Sequence, residues 1–224
     1  MTRVLLLRHG QSEWNAEGRW QGQADPTLTD LGRHQALHAT RGLGAVDAIV
    51  SSDLHRAAET AVIIAEALGI GPVVVDTDLR ERHAGEWQGL TRAEIEEAWP
   101  GYLGPPPPIE GAQGNGPAAV ATGTPASELG RAERRPPGWE ADDALVTRAV
   151  RALVRVHQLA QEGEVLVVTH GGLVYALERE LGADFVRLPN LGGRWLDVGP
   201  EGPVALGDRV VLVDPDELTI PAQL

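Results

Sequence analysis

The chain has no cysteine, which excludes disulfides, thiolate metal ligands and a cysteine nucleophile. It has no lysine either: all 19 basic residues are arginine, so Schiff-base chemistry is excluded too. Positive charge is in short supply, with a formal net charge of -13. That balance argues against nonspecific binding to nucleic acid or to an anionic membrane, both of which need a basic surface. No segment approaches about 18 uninterrupted apolar residues, and the N-terminus lacks a basic stretch followed by an apolar core and a small-residue cleavage site. A cytoplasmic protein without membrane or nucleic-acid partners is expected.

The 224 residues, 42% of them hydrophobic, suffice for one sizeable core and are short for two. One domain over 1–224 is therefore expected, with an insertion at 100–138. Apolar runs at Val4–Leu7, Ala48–Val50, Val73–Val75 and Val165–Val168 read as strands of a parallel sheet covered on both faces. Helical patterns lie between them: one from Thr29 to Gly44, one capped by Asp53 and ending at Gly69, one over Asp142–Glu162, and one from Gly171 to Gly182. A short helix at Thr91–Ala98 carries a capping box in Thr91 and Glu94. Arg194–Val198 and Arg209–Val213, separated by a Gly/Pro-rich turn, predict a closing hairpin. The alternation predicts a three-layer α/β sandwich with a mostly parallel central sheet flanked by helices. Pro105–Pro137, with four consecutive prolines and no apolar periodicity, interrupts it and is expected to be a loop or partly disordered segment, a functional lid or a linker.

Parallel sheets bind ligands at the carboxyl ends of their strands, where helix N-termini present free N–H groups. Three places in this chain qualify. Arg8-His9-Gly10 follows the first strand, Arg56 opens the helix after the second, and His170 follows the fourth. Arginine grips phosphoryl oxygens through a planar fork that stays charged, and a neutral imidazole beside it is a nucleophile.

The resemblance rests on four motifs: Arg8-His9-Gly10-Gln11-Ser12-Glu13-Trp14-Asn15, Ser51-Ser52-Asp53-Leu54-His55-Arg56-Ala57-Ala58-Glu59-Thr60, Leu79-Arg80-Glu81 with Gly85 and Trp87, and Thr169-His170-Gly171-Gly172. In this order they resemble the phosphoglycerate mutase-like branch of the histidine phosphatase superfamily. The resemblance implies a phosphoglycerate mutase-like fold and a metal-independent phosphomonoesterase without cofactors. It also implies that His9 becomes a phosphohistidine while Arg8, Arg56 and His170 hold the phosphoryl oxygens. Glu81 would be the proton donor, with Glu86 a neighbouring rival. Ser12, Asn15, Gln21 and Gly22 match a phosphate-contacting loop, and His83 and Gly171 are further candidates for the pocket wall.

His34 and His38 have the i, i+4 spacing of metal ligands, but no third ligand is evident in sequence; they, His157 and most tryptophans read as packing. The family holds both phosphatases and cofactor-dependent mutases. Trp20-Gln21-Gly22-Gln23, Ala84 and Gly89-Leu90-Thr91 depart from mutase patterns. Glu81-Arg82-His83 and the pair Arg134-Arg135 keep the mutase alternative open, and a catalytically inactive phospho-ligand-binding member is the third reading. Small phosphate esters, such as sugar or glycerate phosphates, are the expected substrates; the resemblance also implies that the 100–138 insertion is a flexible cap over the active site, with Arg131, Arg134, Arg135 and Trp139 expected to select the leaving group. No interface is legible, and a homodimer stays open.

Overall fold

The computed structural model describes residues 1–103 and 134–220. Six strands form one sheet in the order β3-β2-β4-β1-β5-β6. They are β1 (Thr2–Arg8), β2 (Ala48–Ser51), β3 (Val74–Val75), β4 (Glu164–Thr169), β5 (Gly192–Gly199) and β6 (Gly202–Val211). The first four are mutually parallel where they pair, and the β5/β6 hairpin is antiparallel on the far side of β1. The expected hairpin thus forms, and it lies directly against the central strand.

The side chains of β1 alternate between two cores. Val4 and Leu6 pack with Val165, Val167 and helices α5 (Asp142–Leu159) and α6 (Gly171–Glu180). Leu5 and Leu7 pack with Ile49, Leu166, Val168 and α3 (His55–Leu68) on the opposite face. Burial on both faces explains the continuous apolar runs of β1 and β4. It also makes the molecule the expected three-layer sandwich. The third predicted strand shrinks to two exposed residues at the sheet edge, where one apolar face is enough.

Three helices are capped by side chains, and one expected cap is corrected. Thr29 caps α2 (Asp30–Ala39), and Thr91 with Glu94 forms the predicted box on α4 (Arg92–Ala98). Ser12 and Asn15 form a second box on α1 (Glu13–Ala16). Gly69 ends α3 in the left-handed conformation at φ 68°, where glycine has no Cβ penalty. Asp53, expected to cap α3, does not. It grips Arg80 with both carboxylate oxygens at 2.7 and 2.5 Å, while Asp25 accepts from the His55 N–H. A bidentate guanidinium pair outweighs a single backbone N–H as a partner for a carboxylate. Most of the insertion falls in 104–133, Arg131 included, outside the described residues.

Candidate active site

Because β1, β2 and β4 run parallel, the residues that follow them emerge on one side of the sheet. His9 continues β1 and donates its N–H to the Thr169 carbonyl at 3.0 Å. Its ring lies 5.2 Å from that of His170, centroid to centroid, so the two imidazoles adjoin at the ends of neighbouring strands. Arg56 reaches the same point from α3: its Nε donates to His9 Nε2 at 3.2 Å, and its two terminal nitrogens donate to the carbonyls of Ala24 and Gly22. Arg8 is buried and tied to the Leu188 carbonyl, with its guanidinium on the cavity wall.

These contacts determine the state of His9. Its Nδ1 faces the Gly10 carbonyl at 2.7 Å, which only accepts, so Nδ1 carries the proton. Its Nε2 faces the Arg56 Nε–H, which only donates, so Nε2 presents a lone pair. Burial, then Arg56 and Arg8, hold the His9 pKa well below the usual histidine value. His170 is lowered likewise, by burial first and then by Arg56. Arg56 itself is brought down to about 10, chiefly by burial, and remains charged at neutral pH. The cluster is thus two neutral imidazoles between two cationic guanidinia.

Glu81 arrives from the loop after β3. That loop is held by Thr169 Oγ1 on the Leu79 carbonyl and by Arg148, whose guanidinium donates to the carbonyls of Asp78, Arg80 and Glu81 and pairs with Glu140. The carboxylate of Glu81 accepts from Arg82 N at 2.7 Å and Gly172 N at 2.9 Å. His9, Arg8, Arg56, Glu81, Asn15, Gln21 and Gly22 line one cavity of about 160 Å³, on the order of ten times the space one water needs. Its outer wall is Trp20, Arg82, Arg135, Trp139, Asp142, Arg179 and Phe185. Several buried polar atoms here have no partner among the described residues: Arg8 Nε, Asn15 Nδ2 and both ring nitrogens of His170. Buried polar atoms are rarely left so; those of Arg8 and Asn15 on the cavity wall, with those of His170, which is fully buried beside His9 and does not itself line the cavity, mark a place for a polar ligand.

The family model of the histidine phosphatase superfamily, branch 1, matches residues 4–107. A glucosyl-3-phosphoglycerate phosphatase of Mycolicibacterium vanbaalenii is 39% identical over 204 residues, covering 85% of this chain and 79% of that protein. The chain belongs to the histidine phosphatase superfamily. A metal-independent phosphoserine phosphatase of Arabidopsis thaliana is 35% identical over 79% of this chain and 67% of its own length. Among solved structures, a mycobacterial glucosyl-3-phosphoglycerate phosphatase in complex with VO3 superposes with a TM-score of 0.70 at 32% identity, covering 91% of this chain and 96% of that one. Metal-independent hydrolysis of phosphate monoesters is the activity that this histidine phosphatase's membership and relatives support.

Not every expected pocket residue of this histidine phosphatase reaches the cavity. Ser12 is fully buried beneath it, capping α1 and donating to Gln21 Oε1 at 2.8 Å. His83 turns away, and its Nδ1 accepts from Gly85 N and lies 3.0 Å from the Gly138 carbonyl. Gly171 does not line the cavity; a Cβ there would meet the Arg8 guanidinium at 3.4 Å. His34 and His38 pair with Glu217, which lies 179 residues from His38, and His38 also pairs with Asp214. Sequence reasoning did not single out Gly172, Asn190, Arg148, Asp142 or Arg179. Gly172 stood inside a quoted motif and was legible there; the others carry no local signal.

Proposed function

We propose that His9 is the nucleophile of this phosphatase and that Glu81 is its proton donor. The observation that carries the reading is the state of His9: a buried, neutral imidazole whose Nδ1 proton is held on the Gly10 carbonyl, leaving the Nε2 lone pair on the side of the Arg56 guanidinium. The phosphoryl group displaces the 3.2 Å contact between Arg56 and His9, and Arg56, Arg8 and His170 take its oxygens. His9 Nε2 then forms a bond to phosphorus while the ester P–O bond breaks, and Glu81 in its acid form protonates the departing oxygen. In the second half Glu81, now a carboxylate, takes a proton from water, whose oxygen attacks phosphorus and releases His9 and phosphate. Fixed cations and in-line placement are what phosphoryl transfer chiefly needs.

Sugar and glycerate phosphates are the substrates this reading favours. The relatives named above act on glucosyl-3-phosphoglycerate and phosphoserine, esters that carry a carboxylate, and the outer wall here brings Arg82, Arg135 and Arg179 around the single carboxylate of Asp142. Arg135 lies over the Trp139 ring at 4.5 Å, so the C-terminal flank of the 100–138 segment contributes to the leaving-group side. We assign that segment the role of a cap within one domain over 1–224. Removing residues 105–133 should then change the relative rates on a panel of phosphate esters, and unchanged ratios would refute the cap.

The decisive experiment measures phosphate release from p-nitrophenyl phosphate, sugar phosphates and 3-phosphoglycerate, the last with and without 2,3-bisphosphoglycerate. Release should be rapid, isomerisation negligible, and His9→Ala should lose at least about 10³-fold in kcat. Isomerisation without release would make the protein a mutase. Activity surviving in His9→Ala would remove the nucleophile.

A further inference from the structure

Asn15 lies at the cavity wall with its amide orientation determined by its partners. Its Oδ1 accepts from the Ser12 backbone N–H and from Asn190 Nδ2, both at 3.2 Å. A backbone N–H can only donate, so that side of the amide is the oxygen and the NH2 group is left to the cavity. Asn15 is 8% exposed, and its Nδ2 has no partner among the described residues. Asn190, fully buried, is itself oriented. Its Nδ2 also donates to the His9 carbonyl at 2.9 Å, and its Oδ1 accepts from Thr219 Oγ1 at 2.9 Å. Thr219 is held in turn. Its carbonyl accepts from Asn190 N, its hydroxyl accepts from Gln35 Nε2, and Gln35 also donates to the Glu217 carbonyl. The Glu217 carboxylate lies 3.0 Å from both His34 and His38 on α2.

We propose that Asn190 is a positioning residue, aligned by Thr219, which holds the Asn15 amide with its N–H groups toward a phosphoryl oxygen and fixes the backbone of His9. The segment Asp214–Thr219, anchored on α2 by Gln35, His34 and His38, is then part of the frame of the active site. Each link has one polarity. Thr219 donates to Asn190, Asn190 donates to Asn15 and to His9, and Asn15 has donors to spare. No amide in the chain can be turned without leaving two acceptors or two donors face to face, a cost comparable to a lost buried hydrogen bond. The proposal rests on the phosphatase reading, since it assigns Asn15 to the phosphoryl group.

A double-mutant cycle on the full chain tests it, with kcat and KM on p-nitrophenyl phosphate, inorganic phosphate affinity by calorimetry, and a thermal melt as control for folding. Thr219→Val should lower kcat/KM and phosphate affinity by about 3- to 10-fold, and Thr219→Ser should restore both. In the Asn15→Ala background Thr219→Val should cost less than about 2-fold, because the group being positioned is gone. Asn190→Asp, which sets a carboxylate oxygen against two acceptors, should cost more than Thr219→Val; if it fails to fold, the Thr219 cycle decides. Equal losses from Thr219→Val with and without Asn15, or no loss at all, overturn the proposal. Phosphate binding that shows the coupling in a wild-type protein unable to release phosphate overturns the phosphatase reading and supports the positioning. An active wild type without coupling overturns the positioning alone.

Discussion

At Gly172 a Cβ would meet the Glu81 carboxylate, so a methyl group there has to push the acid aside. The same residue donates its N–H to Glu81 Oε2 from the first turn of α6, so it both makes room for the acid and orients it. Gly172→Ala should therefore act through Glu81. A general acid matters most when the leaving group is a poor one, since an alkoxide needs a proton in the transition state and a nitrophenolate does not. Both Gly172→Ala and Glu81→Gln should lower kcat by roughly 10²-fold or more on a sugar phosphate and far less on p-nitrophenyl phosphate. A uniform loss across both substrates would mean that Glu81 is not the donor. His9, Arg56, Glu81 and His170 were legible before folding because each belongs to a run of neighbours with its own pattern. Asn190 and Arg148 were not, because their roles lie in which distant carbonyls and amides they meet. Ser12 and His83 show the converse: a motif places a residue near a loop but does not say on which side its polar atoms turn.

On the scale of elements, α5 begins without a cap. Its N-cap is Ala141, extended at φ -64° and ψ 152°, with no side-chain hydrogen bond, while Asp142 and Asp143 supply favourable charge in the first turn. The backbone already has the geometry in which serine accepts from an N–H two or three residues on. Ala141→Ser should stabilise the fold by about 1 kcal/mol, raising Tm by roughly 2–4 °C for a chain of this size. A melt unchanged or lowered, with Glu140 still paired to Arg148, would show that the alanine is needed for packing. The elements were readable in proportion to how one-sided their demands are. Val4–Leu7 and Val165–Val168 announced buried strands because both faces are covered. Val74–Val75, exposed at the edge, could be placed but not bounded, and the cap of α3 was misassigned because Asp53 had a stronger distant partner in Arg80.

For the molecule as a whole, a net charge of -13 surrounds a site built from Arg8 and Arg56, and the fold keeps His9 and His170 neutral beside them. That arrangement has a consequence for stability. Both histidines have folded pKa values well below the ordinary 6.5, for which burial is the first cause. Between that depressed value and about 6.5 the unfolded chain binds protons that the folded chain does not, so stability rises with pH across this window. It is fully present above about 6.5 and is lost as pH falls below it. Each such histidine contributes a slope of up to about 1.4 kcal/mol per pH unit. The carboxylates lowered by arginine partners, such as Asp53 beside Arg80, act in a separate window below about pH 4. Urea unfolding at pH 7.5 and 5.5 should accordingly show a marked loss at the lower pH for the wild type and a smaller one for His170→Gln. A bound phosphate anion favours the protonated imidazoles that burial and Arg56 disfavour, and it stabilises the folded state by mass action. Inorganic phosphate should therefore narrow the gap between the two pH values in the wild type, and do so less in His170→Gln. Equal losses in the two proteins, with or without phosphate, would mean that the histidine cluster does not set the acid stability of this fold.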